Sequence, residues 1–415
     1  MMKRVVTYLM AGGKGERLLP LTKDRTKPAV PFGGIYRIID FTLNNCINSG
    51  LRRIYILTQY KSASLQRHIR LGWNILPSEL GQFIEILPAQ QRVGESWYLG
   101  TADAIFQNIY SMDNEKADEV LILAGDHVYK MNYYKMIDYH RSVGADMTLA
   151  VVEMDKSKAS DLGVVEVDKQ GKVRGFQEKP GADATLIPGS KDKIYASMGI
   201  YLFNTSILEE ELIEDNKNNS SKHDFGKDIL PDMVKKGRKV VMYDFKGDDQ
   251  RPAYWRDIGT RDAYYEANMD LISENPEFDL YDEEWPIRTY QEQFPPAKVI
   301  FSENLAASKA APEALCREGV FNSLIANGCV INGSKIVHSI LSPDVRVEKN
   351  SQVYDSILME GVRVGEGVKI KGAIIDKDIQ IPAGAVIGYD AALDKERFHV
   401  THSGIVLVAK GTGIK

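Results

Sequence analysis

Residues 330–380 read VINGSKIVHSILSPDVR, VEKNSQVYDSILMEGVR and VGEGVKIKGAIIDKDIQ, three segments of 17 residues that follow one another without a gap. The apolar residues that recur at this spacing form four series: Val330, Val347, Val364 and Ile381; Ile336, Val353, Ile370 and Ile387; Ile340, Ile357 and Ile374; and Leu341, Leu358 and Ile375. Residues that favour a left-handed backbone turn recur in the same phase, at Gly333, Asn350, Gly367 and Gly384.

Within each segment the apolar positions fall about six residues apart, which predicts three short strands per coil. The pattern resembles the hexapeptide-repeat left-handed parallel β-helix, with about four coils. A β-sandwich whose strands share this register by accident is the alternative. A β-helix has open ends and flat faces, so we expect the chain to associate with further subunits.

The residues before the repeat alternate apolar runs with amphipathic segments, the pattern of a sheet covered by helices on both faces. Strands are predicted over 5–10, 54–57, 83–87, 120–124 and 147–152. Helices are predicted over 62–70, 101–110 and 133–141. The order predicts an α/β fold with a Rossmann-like, mostly parallel sheet, whose ligands bind beyond the carboxyl ends of the strands.

A proline-rich stretch divides the chain. Residues 276–296 contain four prolines and an acidic cluster, a composition that stops regular elements. We therefore predict an α/β domain over residues 1–275, a connector over 276–315, and a β-helix domain with a C-terminal tail over 316–415. The β-helix is expected to serve oligomerisation and regulation.

Composition excludes several classes of protein. The 415 residues carry a formal net charge of −5, which provides no basic field, so nucleic acid is not expected as a partner. Cys46, Cys316 and Cys329 show no CxxC spacing, which argues against a disulfide framework and a zinc site. No stretch approaches the ~20 apolar residues of a membrane span. We expect a soluble cytoplasmic protein with no membrane partner.

The loop after the first predicted strand is rich in glycine and cations. Residues 11–28 read AGGKGERLLPLTKDRTKP. Gly12, Gly13 and Gly15 would let backbone N–H groups approach a polyphosphate, and Arg17 and Lys27 would supply permanent charge. Neither the P-loop pattern nor GxGxxG is present.

This loop matches the pattern GGxGxRLxPLTxxxxKP, and the chain resembles the ADP-glucose pyrophosphorylase branch of the sugar-1-phosphate nucleotidyltransferases. Further matching stretches follow in order along nearly the whole chain: 28–34 (PAVPFGG), 88–92 (PAQQR), 100–104 (GTADA), 123–127 (LAGDH), 176–180 (FQEKP), 197–201 (SMGIY), 223–228 (HDFGKD), 254–260 (YWRDIGT) and 285–290 (WPIRTY). The resemblance implies that residues 1–275 are a catalytic domain. It also implies adenylyl transfer from ATP to α-D-glucose 1-phosphate for glycogen synthesis.

The resemblance implies a Mg²⁺-assisted reaction without a covalent intermediate. Asp126 and Asp257 are the implied metal carboxylates, and Asp126, Arg17 and Lys27 are the implied catalytic residues. The attacking phosphate oxygen is already ionised at neutral pH, so His127 is expected to pack or orient rather than act as a base. His338, in the repeat region, is expected to be structural.

The same resemblance implies the substrate contacts. For ATP they are Gly12, Gly13, Gly15, Arg17, Lys27, Gly100 and either Gln90 or Gln91, an amide that could read the adenine edge. For glucose 1-phosphate they are Tyr98, Gly163, Glu178, Lys179, Ser197 and Asp257.

Residues of the effector site depart from the family pattern. Arg25, Arg37 and Arg397 match residues that bind fructose 1,6-bisphosphate or AMP in enteric-type enzymes. Asp24 stands where those enzymes have a lysine, and Pro31 where they have a histidine. An acid should repel a phosphate ligand, so we expect weak activation or none by that ligand.

Three alternatives remain at this point. The chain could use another nucleotide, such as UTP or dTTP. It could be a non-catalytic regulatory subunit, although the implied metal and phosphate residues are intact. It could be a hexapeptide acyltransferase, which the matching stretches of the first domain disfavour. A homotetramer is expected, with or without a paralogous subunit.

Overall fold

The computed structural model describes residues 3–90, 97–168, 171–247, 249–301 and 318–414. They form two compact units. The first unit is Met1–Gly13 with Phe41–Trp255, and the second is Lys14–Asp40 with Arg256–Lys415. The segment Lys14–Asp40, near the N-terminus, thus belongs to the same unit as the C-terminal part of the chain.

The strands up to residue 257 are β1 (Val5–Met10), β2 (Pro31–Phe32), β3 (Tyr36–Arg37), β4 (Arg53–Thr58), β5 (Phe83–Pro88), β6 (Glu119–Ala124), β7 (His127–Tyr129), β8 (Met147–Asp155), β9 (Gly163–Val167), β10 (Val173–Glu178), β11 (Lys193–Asn204), β12 (Val240–Asp244) and β13 (Trp255–Asp257). The α-helices are α1 (Ile38–Asn48), α2 (Ala63–Gly72), α3 (Thr101–Phe106), α4 (Ile109–Glu115), α5 (Tyr133–Val143), α6 (Thr205–Asn216), α7 (Leu230–Lys235), α8 (Arg261–Asp270) and α9 (Ala391–Arg397). Short 3₁₀ turns lie at Glu16–Leu18, Lys27–Ala29, Ser78–Leu80, Lys156–Lys158 and Gly181–Asp183.

The first unit is built on a nine-stranded mixed sheet. Its main order is β10-β9-β11-β6-β1-β4-β5, and β8 pairs with β11 and β12. β1 runs parallel to β4 and β6, and β4 runs parallel to β5, as the sequence predicts. β11 runs antiparallel to β6, β8 and β9, which the sequence analysis did not foresee. Buried and half-buried residues alternate along β11, as in a strand with one more open face.

The predicted strands and helices are found within a few residues, with one exception. The helix predicted over 101–110 is two helices, α3 and α4. Asn108 lies between them, and its side-chain amide donates to the Ala104 carbonyl oxygen of the preceding turn, 2.8 Å away. Such local side-chain bonds to the backbone compete with a continuous helix.

The strands of the second unit's β-helix are β14 (Lys298–Ile300), β15 (Gly319–Phe321), β16 (Leu324–Ile325), β17 (Val330–Asn332), β18 (Lys335–Val337), β19 (Ile340–Leu341), β20 (Arg346–Val347), β21 (Gln352–Tyr354), β22 (Ile357–Leu358), β23 (Arg363–Val364), β24 (Lys369–Lys371), β25 (Ala373–Ile375), β26 (Gln380–Ile381), β27 (Val386–Ile387), β28 (His399–Val400) and β29 (Val406–Val408).

These strands form the three sheets of a β-helix, and their pairing is parallel except between β28 and β29, which run antiparallel. The sheet orders are β14-β17-β20-β23-β26, β15-β18-β21-β24-β27 and β16-β19-β22-β25-β29-β28. The strands pair in the register that the 17-residue series predicts: Ile336 lies opposite Val353, and Val353 lies opposite Ile370. These side chains are fully buried inside the coils. The fold class predicted from the sequence is therefore confirmed.

The corners of the coils use left-handed residues, as predicted. Gly333, Asn350, Gly367 and Gly384 have φ angles of 48°, 61°, 66° and 72°. The other two corners show the same conformation, at Asn322, His338, Asp355 and Gly372 and at Gly328, Asp344, Gly361 and Asp378. Asparagine and aspartate are the non-glycine residues that tolerate it best.

The segment between the α/β elements and the repeat is partly regular. Residues 276–296 contain no helix or strand, as the prolines predict. β14, however, already belongs to the β-helix, since it pairs in parallel with β17, although it lies in the stretch predicted as connector. The 17-residue pattern does not extend to this strand, so the repeat could not predict it.

Among the described residues no helix is both long and apolar enough to span a bilayer. Cys46 and Cys329 are buried free thiols, and Cys316 lies outside the described residues. Burial raises the pKa of the Cys329 thiol to about 11.

Candidate active site

Asp126 lies just beyond the carboxyl end of β6, the edge where ligands of open α/β sheets bind. Gly125 fixes this turn, because its backbone N–H donates to the Met10 carbonyl oxygen at 3.1 Å. One third of the Asp126 side chain is exposed, and its Oδ1 is 3.5 Å from His127 Nε2. The His127 ring packs edge-on against Trp255, at 4.9 Å between centroids. This contact agrees with a packing role for His127.

The glycines of the loop after β1 differ in their surroundings. A Cβ on Gly12 would lie 3.2 Å from Gln59 Cβ, whereas a Cβ on Gly13 would meet nothing within 4 Å. The backbone of Gly13 is therefore accessible on the side where a side chain would project. Gln90 is exposed after β5, whereas Gln91 lies outside the described residues.

Gly100 allows two backbones to pack closely. A Cβ there would lie 2.2 Å from the His223 carbonyl oxygen. The same oxygen accepts a hydrogen bond from the Ala102 backbone N–H at 2.8 Å, which ties the start of α3 to the HDFGKD stretch. Any larger residue would separate these two segments.

Two of the predicted glucose 1-phosphate residues lie next to each other at the end of β10. Glu178 Oε1 is 3.8 Å from Lys179 Nζ. Lys179 has a left-handed backbone, with φ of 51°, just before Pro180. Gly163 contacts the neighbouring ring of Phe176, because a Cβ on Gly163 would lie 2.3 Å from a ring carbon. The glycine thus leaves room for the Phe176 ring against β9.

Ser197 lies at an irregularity of β11. The pairing of β11 with β8 shifts register between Ser197 and Tyr201, and Gly199 within this bulge has φ of 65°. Bulges re-aim side chains next to functional sites. Burial raises the pKa of Tyr201, and its hydroxyl hydrogen-bonds Ser197. The phenol is thus a neutral group at this site.

Tyr98 is positioned by a hydrogen bond from Asn108, which lies between α3 and α4. Its hydroxyl accepts a hydrogen bond from Asn108 Nδ2 at 2.9 Å. Burial raises the pKa of this phenol, although the Asn108 bond acts in the opposite direction. The hydroxyl is therefore neutral at physiological pH.

In the second unit, three predicted site residues come together around Gly259. Lys27 Nζ is 3.1 Å from Asp257 Oδ1. A Cβ on Gly259 would lie 2.8 Å from Asp257 Oδ2 and 3.3 Å from Arg17 Nη2. Residues about 230 positions apart in the sequence thus form one cluster of two cations and a carboxylate. This charge distribution suits a polyphosphate.

The loop that carries these cations is shaped by Gly15. Its φ is 64°, and a Cβ there would lie 3.0 Å from Thr22 Cγ2 and 3.2 Å from Lys27 Cβ. The Thr22 hydroxyl donates to the Gly15 carbonyl oxygen at 2.8 Å, closing the loop.

The three arginines of the predicted effector site have different partners within the second unit. Arg25 is buried and binds both carboxylate oxygens of Asp376, at 2.7 and 3.0 Å. Arg37 donates to the Ala29 carbonyl oxygen at 3.2 Å. Arg397 binds the Val386 carbonyl oxygen and Asp394.

A further cation lies beside Arg25. Lys377 contacts Glu360, and burial lowers its pKa, with Arg37 and Arg25 acting in the same direction. Lys377 and Asp376 are not among the residues that the sequence predicts for the effector site.

Lys227 is another residue near the site that the sequence analysis left without a role. Its Nζ is 3.5 Å from Glu178 Oε1. It belongs to the quoted stretch HDFGKD, so the signal was present in the sequence. What the sequence could not provide was its proximity to Glu178, 49 positions earlier.

The fold and the site define a nucleotidyl transferase. The nucleotidyl transferase family model matches residues 6–274, and the model of the GlmU-like C-terminal hexapeptide domain matches residues 295–408. The hexapeptide match agrees with the predicted left-handed β-helix. Nucleotidyl transferases in general use a divalent metal ion.

Full-length relatives narrow this class. The chain is 53% identical over 404 residues to a glucose-1-phosphate adenylyltransferase of Koribacter versatilis, covering 97% of this chain and 94% of the relative. It is 47% identical to one of Rhodopirellula baltica, covering 99% and 91%. It is 46% identical to glucose-1-phosphate adenylyltransferase 2 of Vibrio cholerae, covering 98% of both chains. The chain belongs to the glucose-1-phosphate adenylyltransferase family, which confirms the resemblance and the prediction of a nucleotidyltransferase enzyme.

Proposed function

We propose that this protein transfers the adenylyl group of ATP to α-D-glucose 1-phosphate, giving ADP-glucose and pyrophosphate for glycogen synthesis. The observation that carries the proposal is the similarity, over nearly the whole chain, to relatives named for this reaction. The intact carboxylates and cations of both units support it.

In this reaction a phosphate oxygen of the sugar phosphate attacks the α-phosphorus of ATP. The new P–O bond forms as the bond to the β-phosphate oxygen breaks, and pyrophosphate leaves with that electron pair. No proton must be removed, so the protein has to position the reactants and neutralise charge. Arg17 and Lys27 would bind the ATP phosphates, and their fixed charge would stabilise the departing pyrophosphate.

Asp126 and Asp257 would hold Mg²⁺. The donors fit this ion, because it prefers one or two carboxylates together with phosphate oxygens, and the Asp126 carboxylate is accessible at the end of β6. The bound ion would act as a Lewis acid on the phosphate groups. Lys27 Nζ is 3.1 Å from Asp257 Oδ1, and this ion pair orients the carboxylate.

The remaining contacts follow the predicted assignment. Lys179 would bind the phosphate of glucose 1-phosphate, and Glu178, Ser197, Tyr98, Gly163 and Asp257 would contribute to the sugar-phosphate site. Gly12, Gly13, Gly15 and Gly100 would line the nucleotide site, with Gln90 or Gln91 reading adenine.

We further propose that the protein is cytoplasmic and forms a homotetramer, with a hetero-oligomer containing a paralogous subunit as the alternative. Arg25, Arg37 and Arg397 are proposed to serve an effector site. Fructose 1,6-bisphosphate should activate weakly or not at all, because the exposed carboxylate of Asp24 would repel it and Arg25 is already bound by Asp376. Turnover at subsaturating substrate should change less than about twofold on adding this compound. An increase of several fold would contradict this prediction.

The function is tested by pyrophosphate release from the purified protein. Glucose 1-phosphate is supplied with ATP, UTP or dTTP in turn, with Mg²⁺ and after chelation with EDTA. We expect release with ATP and its loss with EDTA. A preference for UTP or dTTP would reject adenylyl transfer, and no release with any nucleotide would favour a non-catalytic subunit.

A further inference from the structure

Glu178 lies between two lysines. Its Oε1 is 3.8 Å from Lys179 Nζ and 3.5 Å from Lys227 Nζ. The three side chains are 35%, 44% and 40% exposed, so none is shielded from a ligand. Two ammonium groups and one carboxylate leave a net charge of +1 at this point, which favours an anionic ligand.

A π-helical turn brings Lys227 to this position. Phe225–Ile229 forms this turn just before α7, and π-turns are rare and often occur at functional sites. The Asp224 carboxylate accepts the backbone N–H groups of Gly226 and Lys227 at 3.0 and 3.1 Å, which fixes the start of the turn. Lys227 is thus held on an ordered element.

Gly226 allows the turn to approach β10. A Cβ on Gly226 would lie 2.8 Å from two ring carbons of Phe176. Phe176 and Glu178 are two residues apart on β10, so their side chains share a face of the strand. The contact of Gly226 with the ring therefore places the next residue, Lys227, over Glu178.

The inference rests on the proposed function, in which Lys179 binds the phosphate of glucose 1-phosphate and Glu178 binds the sugar. When Lys179 turns to the phosphate, Glu178 loses one of its two cations. We propose that Lys227 is a positioning residue that stays on Glu178 and holds its carboxylate against the sugar hydroxyls. Without Lys227, the partly desolvated Glu178 carboxylate would lie near the phosphate of glucose 1-phosphate with no cation to balance its charge.

The first experiment compares Lys227→Met with Lys235→Met. Lys235 is a matched control, because it follows on α7 and pairs only on the surface with Asp232 among the contacts described. Lys227→Met should raise the KM for glucose 1-phosphate about tenfold, leaving the KM for ATP unchanged and kcat within about twofold. Lys227→Arg should restore most of the affinity because it keeps the charge.

The second experiment is a double-mutant cycle with Glu178→Gln, read as the Kd for glucose 1-phosphate by calorimetry. If Lys227 acts through Glu178, the double variant should bind no more weakly than Glu178→Gln alone. Additive effects would overturn the inference, as would a Lys227→Met variant that behaves like Lys235→Met or loses affinity for both substrates alike.

The two hypotheses fail separately. A wild-type protein that releases no pyrophosphate contradicts the proposed function, and the calorimetric cycle still tests Lys227. A wild-type protein that binds no glucose 1-phosphate overturns the inference about Lys227.

Discussion

At several positions in this protein, the close approach of neighbouring atoms leaves room only for glycine. Gly163 and Gly226 both face the Phe176 ring, at 2.3 and 2.8 Å from where a Cβ would lie. Gly259 lies equally close to Asp257. The resemblance implies a substrate contact for Gly163 alone among these three glycines, and the structure supplies a packing reason for each of them.

Asp126→Asn tests, at the residue scale, the proposal that Asp126 is a metal ligand. Replacing a charged donor by a neutral amide should lower kcat by about 10²-fold or more, because charge on the transferring phosphate is no longer neutralised. The measurement is pyrophosphate release together with the oligomeric state by light scattering, which should not change. Asp192→Asn, at an exposed position, is the control. Near-normal turnover of the Asp126 variant would overturn the assignment.

At the scale of elements, the coils of the β-helix are tied by columns of serine. The Ser339 hydroxyl accepts the Ser356 backbone N–H, and the Ser356 hydroxyl accepts the Ala373 backbone N–H, both at 3.1 Å. Ala373 occupies the next position of the same column, so an alanine side chain fits there. The hydroxyls therefore satisfy buried backbone groups that a coil corner would otherwise leave unpaired.

Ser356→Ala should destabilise the β-helix by about 1–3 kcal/mol, because the buried Ala373 N–H loses its acceptor. The urea midpoint of unfolding measures the effect. Ser323→Ala is the matched control: its hydroxyl accepts the Ser339 backbone N–H in the same way, but at a more exposed coil end where water can replace it. If both variants lost the same free energy of unfolding, burial of the backbone N–H would not explain the destabilisation.

The link between β6 and α5 is ionic and pH-dependent. Glu119, at the start of β6, is fully buried and binds Arg141 of α5 at 2.7 Å and Lys3 at 3.0 Å. Burial raises the pKa of Glu119, but the bonds from Arg141 and Lys3 outweigh it and leave the pKa lowered. A lowered pKa stabilises the folded protein above the unfolded-state value, and this stability is lost as the pH falls through the folded-state value.

Arg141→Met should destabilise the protein at pH 7 by about 3 kcal/mol, because a buried carboxylate loses its main partner. The deficit relative to wild type should shrink as the pH falls through the lowered pKa of Glu119, because the carboxyl is then protonated in both proteins. Unfolding by urea across this pH range measures it. Arg174→Met, which breaks an exposed pair with Asp168, should have little effect. A deficit independent of pH would contradict the electrostatic cause.

At the scale of the whole chain, a buried pair joins Arg25 to Asp376, 351 positions apart. Within the second unit it connects the segment Lys14–Asp40, which carries Arg17 and Lys27, to the coil that follows β25. The pair therefore connects the loop that carries Arg17 and Lys27 to the β-helix.

Asp376→Asn should destabilise the second unit by about 3–5 kcal/mol, because the buried guanidinium of Arg25 loses its counter-ion. Amide hydrogen exchange should speed up in the segment Lys14–Asp40, and thermal unfolding should begin at lower temperature. Asp378→Asn, which breaks an exposed pair with Lys410, is the control and should cost less than about 1 kcal/mol. Unchanged amide hydrogen exchange in Lys14–Asp40 would show that the Arg25–Asp376 pair does not stabilise this segment.

The sequence by itself determined what repeats or is locally patterned. The 17-residue period predicted the coils and their corners, and apolar runs predicted β1, β4, β5, β6 and β8. The motifs identified the family and the candidate residues, because those residues are read directly from their order in the chain.

Only the tertiary structure decided which distant residues meet. The antiparallel course of β11, the early strand β14, the pair of Arg25 with Asp376, and Lys227 against Glu178 all depend on contacts between remote segments. Neither composition nor periodicity encodes such contacts, since they arise when close packing joins elements whose separation in the sequence carries no signal.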